Sequence, residues 1–229
     1  ELTAVWKMDE GIGVVAGDST KNNLDGSFGV SPQSPQWLTG TINCKFGSCL
    51  DFNAGEGDYA AISDNAKLNF GTGSFTIEGW VKYTATVRER IISKYSANNG
   101  YDIVTDNGII TFNICEGGVC DSVSSASAVN AGNWIHFAAV RDRPASQLRL
   151  YIDNNSPITG PDTGKSASYT GSLYLGREQD PPFYYFSGAM DEFRIWNKAL
   201  TDTQIASIYN QQCLAPQKGS ACDADLALP

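Results

Sequence analysis

The sequence contains one histidine, His136, and its six cysteines never fall into a C-x-x-C spacing. A tetrahedral zinc site draws four nitrogen or sulfur ligands from short, regular spacings, so zinc is the weaker reading of these cysteines. No cluster of lysine or arginine occurs either. The 16 basic residues face 25 acidic ones, giving a net charge of −9. Nucleic acid and anionic membranes both require a cationic surface, so neither is an expected partner. No apolar run approaches the ~18–20 residues that cross a bilayer, and no membrane insertion by this segment is expected. The sequence opens on Glu1 without a methionine, a basic n-region or an apolar h-region, so any signal peptide or anchor is expected to lie outside it. Internal repeats and low-complexity linkers are absent as well.

The cysteines form three close pairs in sequence: Cys44 with Cys49, Cys115 with Cys120, and Cys213 with Cys222. This spacing predicts three nearest-neighbour disulfides. Each closes a loop so short that it contributes only ~2 kcal/mol in the chain-entropy picture. Such bridges staple hairpins and a tail, and they imply an oxidising location, secreted or at the cell surface.

Strand patterns dominate. In SFTIEGWVKY (74–83), Phe75, Ile77, Val81 and Tyr83 alternate with Thr76, Glu78, Trp80 and Lys82. QLRLYIDN (147–154) alternates in the same way, and WIHFAAV (134–140) is apolar on both faces, as a central strand would be. Asn98-Asn99-Gly100 and Asp106-Asn107-Gly108 read as hairpin turns. One helix is expected near the end, opened by a Thr201–Gln204 capping box and carrying Ile205, Ile208 and Tyr209 on one face. These patterns predict an all-β, two-sheet sandwich with one short C-terminal helix. The domain is expected over residues 1–212, with a stapled tail over 213–229. In GAMDEFRIWNKAL (188–200), simple alternation places Asp191 on the core face with Phe193 and Ile195, where a carboxylate needs a compensating partner.

Five stretches together resemble the laminin-G-like, concanavalin-A-like jelly rolls of microbial surface proteins, relatives of pentraxins. They are VWKMDEGIGVVAGDSTKNNLDG (5–26), CLDFNAGEGDYAAIS (49–63), LNFGTGSFTIEGWVK (68–82), GNWIHFAAVRDRPASQLRLYIDN (132–154) and FSGAMDEFRIWNKALTDTQIASIY (186–209). The resemblance implies an antiparallel jelly roll with one structural Ca2+. Asp18 and Asp191 would supply side-chain ligands, with oxygens near Asn22 and Asn23 completing the shell. Lys21 and Asn23 stand where the family often has glycine. The competing reading makes Asp18 part of an Asx-type turn and bonds Asp191 to backbone amides.

The same architecture carries glycoside hydrolases and lyases. Paired glycosidase carboxylates would show as an acidic E-x-D-x-E run, and none exists. His136, inside WIHFAAV, reads as a sheet residue rather than a base. A non-catalytic, carbohydrate-recognising binding or adhesion module stabilised by calcium is therefore expected, with a glycan or a surface protein as its partner, as one part of a larger surface protein; the alternative is a structural or protein-interaction domain of a surface appendage or adhesin. Sugars need aromatic platforms beside polar groups. The candidate ligand residues are Tyr95, Asn99 and Tyr101 in one loop, and Arg177, Phe183 and Tyr184 in another. The alternative for residues 183–186 is the start of a strand with alternate rings in the core.

Overall fold

The computed structural model describes residues 1–210. The expected 212/213 boundary, the tail and the Cys213–Cys222 pair lie outside the described residues. The early strands are β1 (Leu2–Trp6), β2 (Val15–Ala16), β3 (Gly26–Phe28), β4 (Gln36–Thr39), β5 (Ser48–Phe52) and β6 (Ala60–Ile62). Next come β7 (Phe75–Tyr83), β8 (Glu89–Ser96), β9 (Asn99–Asp106), β10 (Ile109–Glu116) and β11 (Val119–Ser124). The described residues end with β12 (Ile135–Asp142), β13 (Gln147–Ile152), β14 (Ile158–Pro161), β15 (Leu173–Leu175), β16 (Gly188–Trp196) and the helix α1 (Asp202–Tyr209).

Two antiparallel sheets stack face to face. The first runs β14-β13-β12-β7-β16-β5-β4, with β1 also on β16; the second runs β11-β10-β9-β8-β15-β6-β3-β2. The alternation explains the core between them. Phe75, Ile77, Val81 and Tyr83 of β7 point inward, as do Leu148, Leu150 and Ile152 of β13. Strand β12 is central, as its sequence predicts, and buries both faces between β7 and β13. Two of the expected disulfides are present, Cys44–Cys49 and Cys115–Cys120, the latter joining directly opposed residues of β10 and β11. Among the described residues no helix is long and apolar enough to cross a membrane.

The outer face of the first sheet is covered by α1. Its capping box forms as expected: Thr201 Oγ1 accepts from Gln204 N at 3.3 Å, and Gln204 Oε1 accepts from Thr201 N at 3.0 Å. Ile205 and Ile208 then pack on Ala138, Val140, Tyr151 and Trp196, a burial that contributes roughly 1.5–3 kcal/mol per side chain. Tyr209 stacks on Trp80 with ring centroids 5.4 Å apart.

Strand β16 corrects the expected facing of Asp191. Two residues, Glu192 and Phe193, oppose the single Gly79 of β7, and Glu192 takes a positive φ of 54°. This bulge resets the alternation, so Met190, Phe193 and Ile195 enter the core while Asp191 faces outward. Gly79 is required there, because a Cβ on it would lie 2.5 Å from the Phe193 ring. The bulge also marks a change of neighbour: residues 188–190 of β16 pair with β5, and residues 193–196 pair with β1. Asp191 sits at that junction, fully buried but outside the main core.

Candidate functional site

The second sheet carries a groove of about 400 Å³ at one end. One wall is the β8–β9 turn, Tyr95 to Asn98, in which Ala97 and Asn98 adopt positive φ values of 48° and 66°. The other wall is the loop from Glu178 to Tyr184. That loop is pinned at its base, since Arg90 N donates to Tyr184 O at 2.8 Å and Glu178 N donates to Phe183 O at 3.1 Å. Consequently residues 183–186 form a loop rather than a strand, and only Phe186 is driven into the core.

Arg90 lies between the walls and is almost wholly buried. Its Nε and Nη2 reach Glu178 Oε2 at 3.2 and 2.8 Å, and Asp102 stands 3.5 Å from Nε. Burial pushes the Asp102 carboxyl up, while the Arg90 charge, the Asn113 hydrogen bond and Arg88 pull it back. Nη1 of Arg90 has no hydrogen-bond partner. The guanidinium lies 5.4 Å from the Tyr184 ring and 5.8 Å from the Tyr95 ring, and Arg88 lies 5.8 Å from Tyr184. Ser96 Oγ donates to Asp180 Oδ2, and the Tyr95 hydroxyl donates to Asn98 Oδ1 at 3.2 Å. Tyr95 is half-buried and Tyr184 is 36% exposed. Partly exposed rings beside fixed donors and acceptors suit a ligand with one apolar and one polar side.

Of the six expected ligand residues, Tyr95 and Tyr184 line this groove. Tyr101 does not: it is fully buried against Phe70 and Phe75, with its hydroxyl on Leu68 O, because it lies on the inward side of β9. Asn99 is spent on local turns, donating to Ala97 O and accepting from Gly117 N. Arg177 is held by Tyr59 and Tyr174 at 4.0 and 4.3 Å, and Phe183 packs at a tilt against Tyr185. Sequence reasoning missed Arg88, Arg90, Glu178 and Asp180. Their only signal was Arg88-x-Arg90 upstream of Tyr95, which ordinary solvated charges would equally produce. A second hollow of about 460 Å³ beside Ala189 is lined by Asp51, Lys82, Asn43 and Asn53, but its aromatics, Phe52 and Tyr83, are buried.

The calcium expectation meets a different geometry. Asp18 Oδ1 accepts from Val5 N and Thr20 N, both at 2.9 Å, and Oδ2 accepts from Thr20 Oγ1 and Leu24 N at 2.7 and 2.9 Å. Four donors thus occupy the lone pairs a cation would use. Asn22 donates its amide to Thr3 O, and Asn23 takes a positive φ of 52° to turn the loop. Asp191 bonds elsewhere: Oδ2 accepts from Phe46 N at 2.8 Å, inside the loop closed by Cys44–Cys49. Asp9 holds the same loop through Ser48 N, and Lys45 Nζ lies 3.8 Å from the Trp80 ring. Asp18 thus bonds to Val5, Thr20 and Leu24, and Asp191 to Phe46. No group of three or more His, Cys, Asp or Glu that could hold a metal occurs among the described residues. His136 is buried under α1, with Nε2 2.7 Å from Glu78 Oε2, and Glu78 continues to Arg194 at 2.9 Å.

Residues 54–206 match the laminin-G-like family of the concanavalin A-like lectin/glucanases superfamily. The chain belongs to that family. Among solved structures, its laminin-G-like fold resembles the binding domain of Paraclostridial Mosquitocidal Protein 1, with a TM-score of 0.76 and 14% identity over 93% of this chain and 53% of that one. It also resembles botulinum neurotoxin type C, whose cell entry is dependent upon interaction with two ganglioside molecules (TM-score 0.70, 13% identity, 91% and 50% of the two chains). This laminin-G-like chain thus spans about half the length of those toxin chains. A segment of 65 residues is 37% identical to adhesion G-protein coupled receptor D1 of Homo sapiens, covering 27% of this chain and 7% of the receptor.

Proposed function

We propose that this domain is a non-catalytic, extracellular binding and adhesion module that recognises carbohydrate in the groove between Tyr95 and Tyr184. The observation that carries this reading is the meeting of two partly exposed tyrosines with Arg90, Ser96, Asn98 and Asp180 in one hollow. The disulfides support an oxidising location, and a ganglioside-dependent toxin with the same fold supports a glycan partner. Binding to a glycan array is expected to drop about tenfold, or ~1.4 kcal/mol, in Tyr184→Ala, with thermal unfolding unchanged. Full binding by both Tyr184→Ala and Tyr95→Ala would move the site away from this groove.

A protein-docking role is the second reading, and exposed aliphatic residues favour it. Ile12, Val14 and Val30 are 80%, 63% and 83% exposed on two segments joined by a hydrogen bond from Phe28 N to Val14 O. Failure of every glycan, with capture of a surface protein lost in Val14→Lys, would favour this reading.

The saturated Asp18 carboxylate supports a calcium-free latch. A bound cation at ~100 times its dissociation constant would add ~2.7 kcal/mol to stability. The expected result is one melting temperature in calcium and in EDTA. A calcium-dependent rise that disappears in Asp191→Ala would reinstate the metal.

A further inference from the structure

We infer that the Tyr95–Tyr184 groove takes an uncharged pyranose, as a mono- or disaccharide, rather than an acidic sugar; the inference rests on the carbohydrate reading above. Three carboxylates surround the groove: Glu178 and Asp180 line it, and Asp102 stands behind Arg90. Two guanidinium groups oppose them. Arg90 is already neutralised by Glu178 and Asp102, so its charge is not left for a ligand. Arg88 and Asp180 are both exposed, and neither has an ion-pair partner among the described residues. The three carboxylates outnumber the two guanidinium groups by one. A uronic or sialic carboxylate would add negative charge beside Asp180, in a chain that already carries −9.

Arg90 also carries an unsatisfied hydrogen-bond donor. Nη1 of Arg90 is buried without an acceptor, on a side chain only 5% exposed. A sugar hydroxyl oxygen that reached it would supply the missing acceptor. Asp180 has Oδ2 bonded to Ser96 Oγ, and its Oδ1 can accept from a neighbouring hydroxyl. The C–H face of the ring would lie against Tyr184 and the wall formed by Pro181 and Pro182. A volume of about 400 Å³ is near the lower end for small-molecule sites, which suits one or two sugar rings rather than a long chain.

The test uses saturation-transfer NMR and calorimetry on the whole chain, with methyl glycosides of glucose, galactose, mannose and N-acetylglucosamine against methyl glucuronide, galacturonide and sialoside. At least one neutral glycoside should bind, with affinity flat in salt. The acidic probes should bind at least about tenfold more weakly. Acidic probes that bind equally or better, with binding lost in Arg88→Ala and in high salt, would overturn the neutral class and leave the carbohydrate reading standing. If no probe binds to a chain that still unfolds cooperatively, the inference and the carbohydrate reading fall together.

Discussion

Replacing Arg141 with alanine is expected to cost about 3–5 kcal/mol in urea denaturation, the effect of breaking a buried ion pair from one side. Arg141 is wholly inaccessible and grips Asp162 with two bonds, Nε to Oδ2 at 2.8 Å and Nη2 to Oδ1 at 3.0 Å. Two further N–H groups reach Gly71 O and Lys165 O. The guanidinium therefore ties β12 to the loop after β14 and to the segment before β7. Without it, Asp162 keeps the partly exposed Arg143, 3.0 Å away, and the Gly164 N–H on Oδ1, also at 3.0 Å. The double variant Arg141→Met with Asp162→Asn should lose less than Arg141→Ala alone, because no uncompensated charge stays buried. A double variant as damaged as the single one would show that packing, not charge, holds this corner.

Stability is expected to fall as pH rises, with Asp191 the main cause. Burial pushes its carboxyl up to about 8, against an ordinary value of 3.8; the Phe46 N–H opposes the rise, and Glu192 and Asp9 add to it. A folded-state value above the unfolded one means that the neutral form stabilises the fold. That contribution is complete below about pH 4 and declines until about pH 8, where it is gone. Glu89 and Glu192, both raised to about 7 chiefly by burial, act with the same sign. Urea titrations should show a protein several kcal/mol more stable at about pH 5 than at about pH 9. Asp191→Asn should match the wild type at the acidic end, within about 1 kcal/mol, and exceed it at the alkaline end. Greater stability at alkaline pH would mean that Asp191 is ionised beside a cation, the outcome that bound calcium would produce.

The sandwich was legible in the sequence because period-2 alternation is a local property that survives wherever a strand is regular. Strands β7, β12 and β13, the Thr201–Gln204 capping box and both described disulfides follow from spacings of ten residues or fewer. The facing of Asp191 did not follow. Alternation counts residues along one strand, whereas the bulge at Glu192 exists because Gly79, more than a hundred positions earlier, makes room for Phe193. The groove was half-legible. Tyr95 and Tyr184 stood out as loop aromatics, but Tyr101, two residues beyond Asn99, lies on the inward side of β9 and went to the core.

By itself, then, the sequence determined the class of fold, the local pairing of the two described disulfides, the amphipathic helix α1 and the net negative charge. Composition and short-range periodicity carry that information. Only the tertiary structure decided that Asp191 answers to the Cys44–Cys49 loop rather than to Asp18, and that Arg90 stands between two tyrosine walls. The two contacts join residues 145 and 88 positions apart, Asp191 to Phe46 and Arg90 to Glu178. Such pairings depend on which strands become neighbours across the sheets, and no local pattern encodes that choice.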